Sequence, residues 1–255
     1  MYDVFVQNEP GGATAGFVQA FTEAAGSQRS GVYLVGSPGL GDLSPRQSNL
    51  DMVAVTDTPL ADEAIERLSR THRSLHLHGR DAVLCYTTWK DLAGSAADAS
   101  AVTFTGSRRA ESGLLANPMT WAILATHPNP LHGPDDPAVH SDPDGVRAWF
   151  RSQLPAIAHR TGGLLWRRGL TRLVLQATRC AHGAITGEVL SLHEAGEKAL
   201  PEASHTGHRV ITDALGYREG ANTSMYWGPF ERKANAVGLA RQLMQQVDRD
   251  EPPGR

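Results

Sequence analysis

The stretch VYLVGSPGLGDLSPRQSNLDMVAVTD, residues 32–57, decides how the rest of the chain is read. It opens on the apolar residues Val32, Tyr33, Leu34 and Val35 and breaks at Gly36-Ser37-Pro38-Gly39. A run of small and polar residues follows, then an alternating segment from Leu50 to Val55. A short apolar run ended by glycine and proline reads as a buried strand, and an alternating one as a half-buried strand. Glycine and serine at a strand end allow backbone amides and a hydroxyl to approach an anion such as phosphate. The second strand opens on Asn49-Leu50-Asp51, and side chains two apart on a strand leave one face together. Two carboxylates so placed can share a divalent metal. Here the pair is an amide and a carboxylate, and an amide is the weaker magnesium ligand.

On either side of this stretch the pattern mixes strands with helices. Phe17, Phe21 and Ala24 give residues 13–25 helical spacing, and Ala64, Ile65 and Leu68 do the same for residues 60–69. Residues 82–86 (AVLCY) predict a third strand and residues 102–104 a shorter fourth. This order predicts an α/β (α+β) domain built on a mixed sheet. Near residue 135 the character changes. The segments GPDDP (133–137) and SDPDG (141–145) are rich in turn formers and acids, and read as an interdomain connection. Beyond them the apolar residues keep helical period. One stripe is Val146, Trp149, Phe150 and Leu154; a second is Leu170, Leu173, Val174, Ala177 and Ala181. Val210, Ile211, Ala214 and Leu215 form a third, and Phe230, Ala234, Val237, Met244 and Val247 a fourth. The expected architecture is a sheet domain over residues 1–140 and a helical bundle over 141–255, with a ligand cleft between them.

Composition narrows the partners. A net charge of -3 over 255 residues gives no basic surplus for nucleic acid or an anionic membrane. Lys90, Lys198 and Lys233 are the only lysines, so arginine carries most of the positive charge. Cys85 and Cys180 lie far apart in apolar surroundings, which is no disulfide framework. The opening MYDVFVQNEPGG lacks the basic and apolar regions of a leader, and no apolar run reaches the roughly 18 residues of a membrane span. A cytoplasmic protein acting on a small molecule is expected; the sequence carries no sign of its oligomeric state.

The Gly-Ser turn, the spacer and the Asn-Leu-Asp strand together resemble the nucleotidyltransferase signature, Gly-Ser followed about ten residues later by Asp-x-Asp. More closely the chain is similar to the aminoglycoside (streptomycin/spectinomycin) adenylyltransferases. Asn117-Pro-Met-Thr-Trp121 with Leu131-His-Gly-Pro134 is similar to that family's domain junction. Residues 173–179 (LVLQATR) through 185–191 (ITGEVLS) resemble its helix and Thr-Gly segment, and residues 195–200 and 214–217 continue in register. The resemblance implies ATP and magnesium as cofactors and transfer of a nucleotidyl group to a hydroxyl of an aminocyclitol-type molecule. It implies phosphate contacts from Gly36, Ser37 and Ser48, and metal binding by Asp51 with Asn49 at the other metal position. It further implies nucleotide contacts from Arg179 and Tyr217.

Other positions depart from the family. The catalytic glutamate of its third strand falls on Val83, with Asp81 two residues earlier on the same strand face as the available substitute base. The lysine expected after Ser191 is Leu192, and no acidic residue stands near Gly169 and Leu170 to meet substrate amines. A diverged protein that uses the cleft for another reaction, or for ligand binding in specialised metabolism, is the alternative. A regulatory pseudoenzyme would be a third class, but no basic patch or interaction tail supports it. Arg179 lies in an apolar helical stretch, where a guanidinium calls for an anionic partner. His72, His76 and His78 lack the companion ligands of a zinc site and read as a solvated connector. Trp121, Trp149, Trp166 and Trp227 read first as core or interface residues.

Overall fold

A computed structural model describes residues 10–44, 48–77, 80–159 and 166–250. The first nine residues, on which the leader reading rests, and His78 lie outside them. The chain divides into two compact units. One comprises Met1–Gly41 with Ser48–Asp142, and the other Asp42–Gln47 with Pro143–Arg255.

In the first unit the strands are β1 (Ser30–Val35), β2 (Asp51–Thr56), β3 (His76–Leu77), β4 (Arg80–Asp81), β5 (Val83–Thr88), β6 (Val102–Thr105), β7 (Arg108–Ala110) and β8 (Pro130–His132). The helices are α1 (Pro10–Ala25), α2 (Gly36–Gly39), α3 (Asp62–Thr71), α4 (Trp89–Leu92) and α5 (Pro118–Thr126). Six strands form one mixed sheet in the order β7-β6-β5-β2-β1-β8, while β3 and β4 make a separate ribbon. Among the described residues only the β2–β5 pair in the sheet is parallel.

Alternation along the strands builds two cores. Tyr33, Val35, Val53, Val55, Val83 and Cys85 share one with Leu92, Trp121 and Leu124. On the other face, Phe17 and Phe21 of α1 pack with Tyr86, with ring centroids 6.5 and 6.3 Å from it. Asn117 starts α5 by accepting a hydrogen bond from the Thr120 amide at 2.9 Å, with Pro118 following it in the first turn.

One expectation is corrected here, and one strand was not foreseen. His72 is no solvated connector residue: it is 1% exposed, with Nδ1 3.0 Å from the Gly106 carbonyl and Nε2 2.6 Å from Tyr86 Oη. A ring with both nitrogens satisfied can be buried among Phe17, Tyr86 and Phe104 without orphaned polar atoms. Leu131 and His132, part of the Leu131–Pro134 segment quoted for the junction resemblance, lie with Pro130 in the edge strand β8 against β1, which the sequence pattern did not predict. Pro130 is tolerated there because an edge strand has one side free of partners.

The second unit contains α6 (Pro143–Ala158), α7 (Arg167–Thr186), α8 (Leu192–Ala199), α9 (His205–Glu219) and α10 (Pro229–Arg249). Helix α7 is central and packs against each of the other four. Gly183 permits its contact with α6, since a Cβ there would stand 2.2 Å from Phe150 Cδ2. The stripe expected on α10 is displaced: Phe230 is 74% exposed, while Ala236, Val237, Leu239, Ala240 and Val247 are buried. The tryptophans also divide. Trp121 is 2% exposed, but Trp166 at 81% and Trp227 at 103% stand in solvent.

The loop carrying Trp227 is anchored to α9. Asp213, buried on α9, accepts hydrogen bonds from Ser224 Oγ at 2.8 Å, the Met225 amide at 2.9 Å and Arg167 Nη2 at 3.2 Å. Its other oxygen lies 3.3 Å from Arg232 Nε. Among the described residues no helix is long and apolar enough to cross a membrane.

Candidate functional site

In the first unit, β1 ends at Val35 and the chain turns at once into α2, with Gly36 at φ +66°. That left-handed conformation costs an L side chain about 1–2 kcal/mol. Space is tight as well, because a Cβ on Gly36 would lie 3.0 Å from Asp51 Oδ2 and the carboxylate would have to give way. The Asp51 carboxylate therefore rests against the backbone of the turn. Ser37 follows half-buried in α2.

Asp51 is the first residue of β2 and pairs with Val35 on one side and Val83 on the other. Its alternation with Val53 and Val55 puts its side chain on the face of Val83. Asn49 and Leu50 precede the strand instead of opening it; Asn49 is half-buried, and Ser48 is 2% exposed.

The position of Asp81 differs from the sequence expectation. It lies on β4, opposite His76 in the two-stranded ribbon, and not on the strand of Val83. Ala82 separates the two, its amide bonded to the Leu75 carbonyl at 3.0 Å. A break in pairing at one residue left no trace in the alternation of Asp81, Ala82 and Val83.

Among the described residues no group of three or more histidine, cysteine or acidic side chains could hold a metal. Asp51 with a half-buried Asn49 and a buried Val83 does not fit a pair of protein-held ions. It does fit one magnesium ion carried in on a nucleotide's phosphates, since magnesium is commonly held by one or two carboxylates plus phosphate oxygens.

In the second unit Arg179 is half-buried on α7, with its Nε buried and without a hydrogen-bond partner among the described residues. Burial holds its pKa below the usual arginine value, and the neighbouring Arg172 and Arg218 add to that effect. Arg218 of α9 is 2% exposed and is clamped by Asp42, with Nη2 2.7 Å from Oδ2 and Nε 3.2 Å from Oδ1. The same Asp42 carboxylate accepts the His193 amide at 3.2 Å, in the first turn of α8. Sequence reasoning missed this clamp, because nothing near Asp42 signals a partner 176 positions away. Tyr217 is half-buried, with the Arg167 guanidinium 4.9 Å over its ring. Leu192 is 8% exposed at the start of α8, where Ser191 and Glu194 form a capping box.

A cavity of about 340 Å³ in the first unit opens at the other end of β2 and β5, among Phe21, Thr56, Thr88 and Arg109. Thr56 is five residues along β2 from Asp51, about 16 Å at strand rise, so this cavity is separate from the phosphate-loop turn.

A mixed sheet with a Gly-Ser turn at the end of one strand and a carboxylate at the start of the next, joined to a helical unit, defines a nucleotidyltransferase-like fold. The sequence matches no protein-family model and no curated protein. Among solved structures the chain is similar to the spectinomycin adenyltransferase AAD(9) from Enterococcus faecialis, determined with ATP and spectinomycin. The TM-score is 0.66 and the identity 16%, with 91% of this chain and 98% of that one covered. The likeness establishes an aminoglycoside-adenylyltransferase-like fold over most of the chain.

Proposed function

We propose that this protein binds ATP and transfers its nucleotidyl group to a hydroxyl of a small aminocyclitol-type molecule. The observation that carries the reading is the Gly36 turn, held at φ +66° against the Asp51 carboxylate at the strand ends. In this reading the Gly36 and Ser37 backbone and the hydroxyls of Ser37 and Ser48 receive phosphate oxygens, and Asp51 holds the ion that accompanies them. The resemblance assigns further nucleotide contacts to Arg179 and Tyr217, which lie on the helical unit. Magnesium, when bound, neutralises phosphate charge and polarises the bond to the departing pyrophosphate. The acceptor oxygen bonds to the α-phosphorus, pyrophosphate leaves, and the hydroxyl proton passes to a carboxylate or to water. The likeness to a structure holding ATP and spectinomycin supports this choice of donor and acceptor class.

One observation favours a second reading. Val83 occupies the strand position beside Asp51, so a carboxylate base is missing from that strand where one would serve transfer. A diverged protein that retains the nucleotide site, but performs another reaction or only binds ligands in specialised metabolism, fits that feature.

Pyrophosphate release from ATP with a panel of aminocyclitols separates the two. Wild-type turnover of about 1 s⁻¹ or more establishes transfer. A silent wild type, together with a folded Asn49→Asp, Val83→Glu, Leu192→Lys triple variant that turns over, establishes the diverged reading. The three changes are combined because residues of one catalytic unit are strongly non-additive.

A further inference from the structure

The cavity of about 340 Å³ in the first unit has a base made by one row across three strands. Ala54 of β2, Tyr86 of β5 and Val102 of β6 are successive register partners and all line it. Phe21 of α1 and Ile65 of α3 wall it on the helix side. Alanine at position 54 leaves the space, between Met52 and Thr56 on the same face of β2. Tyr86 turns its ring to the cavity and its hydrogen away from it. His72, with its pKa lowered to about 4 by burial, is neutral at pH 7. The Gly106 carbonyl can only accept, so His72 Nδ1 carries the hydrogen and the Tyr86 hydroxyl donates to Nε2.

The loops bordering the cavity are tied down. Thr56 Oγ1 donates to the Thr58 carbonyl at 2.7 Å, and the Thr58 amide and hydroxyl both donate to Gln28 Oε1 at 2.9 Å. On the other side Asp91 accepts from Thr88 Oγ1 at 2.7 Å and from the Ser100 amide at 3.3 Å. A preformed apolar hollow with a few polar groups at its edge is the usual form of a small-molecule site.

Two lining residues carry charge: Asp62 at the start of α3, and Arg109 on β7 opposite Phe104. Both are exposed, and neither has a hydrogen-bond or ion-pair partner among the described residues. A ligand of one sign would answer one of these charges and leave the other. A zwitterion answers both, its carboxylate matching the guanidinium fork and its ammonium the carboxylate.

We propose that this cavity binds an apolar α-amino acid, with its carboxylate on Arg109, its ammonium on Asp62 and its side chain against Phe21, Ile65 and Tyr86. The site lies at the opposite end of β2 from Asp51 and does not depend on the nucleotide reading.

The test uses the full-length protein and L-phenylalanine, in a ligand-observed NMR titration carried to about 10 mM, where even a weak site fills. Phenylalanine should bind more tightly than glycine, which has both charges but no side chain. It should also bind more tightly than N-acetyl-phenylalanine, which lacks the ammonium, and than phenylalanine amide, which lacks the carboxylate. Arg109→Gln should weaken phenylalanine by about fivefold, the upper end for an exposed ion pair, and leave the amide unchanged. Asp62→Asn should weaken phenylalanine to a similar degree and leave N-acetyl-phenylalanine unchanged. Such paired losses report which end of the ligand each residue meets, and a general loosening of the fold would not produce them.

Asp51→Asn, in the phosphate turn, should bind phenylalanine as wild type does. A wild type that does not saturate, or that binds glycine as well as phenylalanine, overturns the site. So do charge variants that lose all four compounds alike, or lose none. Loss of phenylalanine in Asp51→Asn would move the ligand to the phosphate turn and overturn the site as well.

Discussion

Asp51 and Val83 are direct partners across the parallel pair of strands β2 and β5, a carboxylate beside an isopropyl group. A glutamate at position 83 would place two acids in one site, where each raises the other's pKa and a cation relieves both. Val83→Glu is therefore expected to destabilise the protein by about 3 kcal/mol, because the new group is buried without a partner. Millimolar magnesium or manganese should restore much of the lost melting temperature in Val83→Glu and more in Asn49→Asp, Val83→Glu. Wild type should respond little. Thermal melts with and without the ion decide it, and an equal response of all three proteins would show that positions 49, 51 and 83 do not meet at one point.

His72 should make stability depend on pH. Burial lowers its pKa from 6.5 to about 4, partly opposed by the Gly106 carbonyl. Between these values the unfolded chain binds a proton that the folded chain refuses, so stability falls as pH drops from about 6.5 to about 4. The full stabilisation is present above 6.5, and the loss approaches about 3 kcal/mol at the acid end, at 1.36 kcal/mol per pH unit. Urea unfolding of His72→Gln at several pH values should show a lower stability at neutral pH and a flatter slope across that window. An unchanged slope would place the acid sensitivity elsewhere.

Asp42 and Arg218 test what holds the helical unit together. Removing the carboxylate leaves a guanidinium that is 2% exposed, so Asp42→Ala is expected to cost about 3–5 kcal/mol. Asp42→Ala combined with Arg218→Met should cost less than Asp42→Ala alone, since the isolated charge is gone. Chemical denaturation of the two single variants and the double completes the cycle. A double variant as unstable as the sum of the singles would mean that the two residues act independently.

Gly183→Ala sets helix propensity against packing. Alanine gains about 1 kcal/mol over glycine within a helix. Its Cβ, however, would stand 2.2 Å from Phe150 Cδ2, and overpacking of that kind typically costs about 1–3 kcal/mol. Packing should win and the variant should melt lower. Phe150→Leu added to Gly183→Ala should recover stability relative to Gly183→Ala; a failure to recover would point to strain elsewhere on α7.

Much of the fold was legible because its signals are local. The apolar run Val32 to Val35, the glycine-serine break and the alternation after Asp51 specify two strands and a tight turn within one window. Features set by distant partners were not legible. A three-residue strand containing Pro130 has no period to detect, and it exists because β1 offers it an edge. His72 looks polar in sequence and is buried because Tyr86 and Gly106 satisfy it. The outward placement of Trp227 depends on Asp213 holding the amide of Met225. In the candidate site, Gly36 and Asp51 could be picked out, whereas the assignment of Asp81 to a separate ribbon depends on pairing that residue type does not reveal.

The clamp between Asp42 and Arg218 constrains how the chain can be made and exchanged. A gene fragment beginning at Pro143 would encode the five helices α6 to α10 and omit the carboxylate that neutralises one of their buried arginines. Recombination between related genes would have to carry two separate segments together to keep the pair. During synthesis Asp42 leaves the ribosome 176 residues ahead of Arg218. At roughly 5–20 residues per second, it waits on the order of ten seconds or more for its partner, so the helical unit cannot reach its final ion pairing until α9 has emerged.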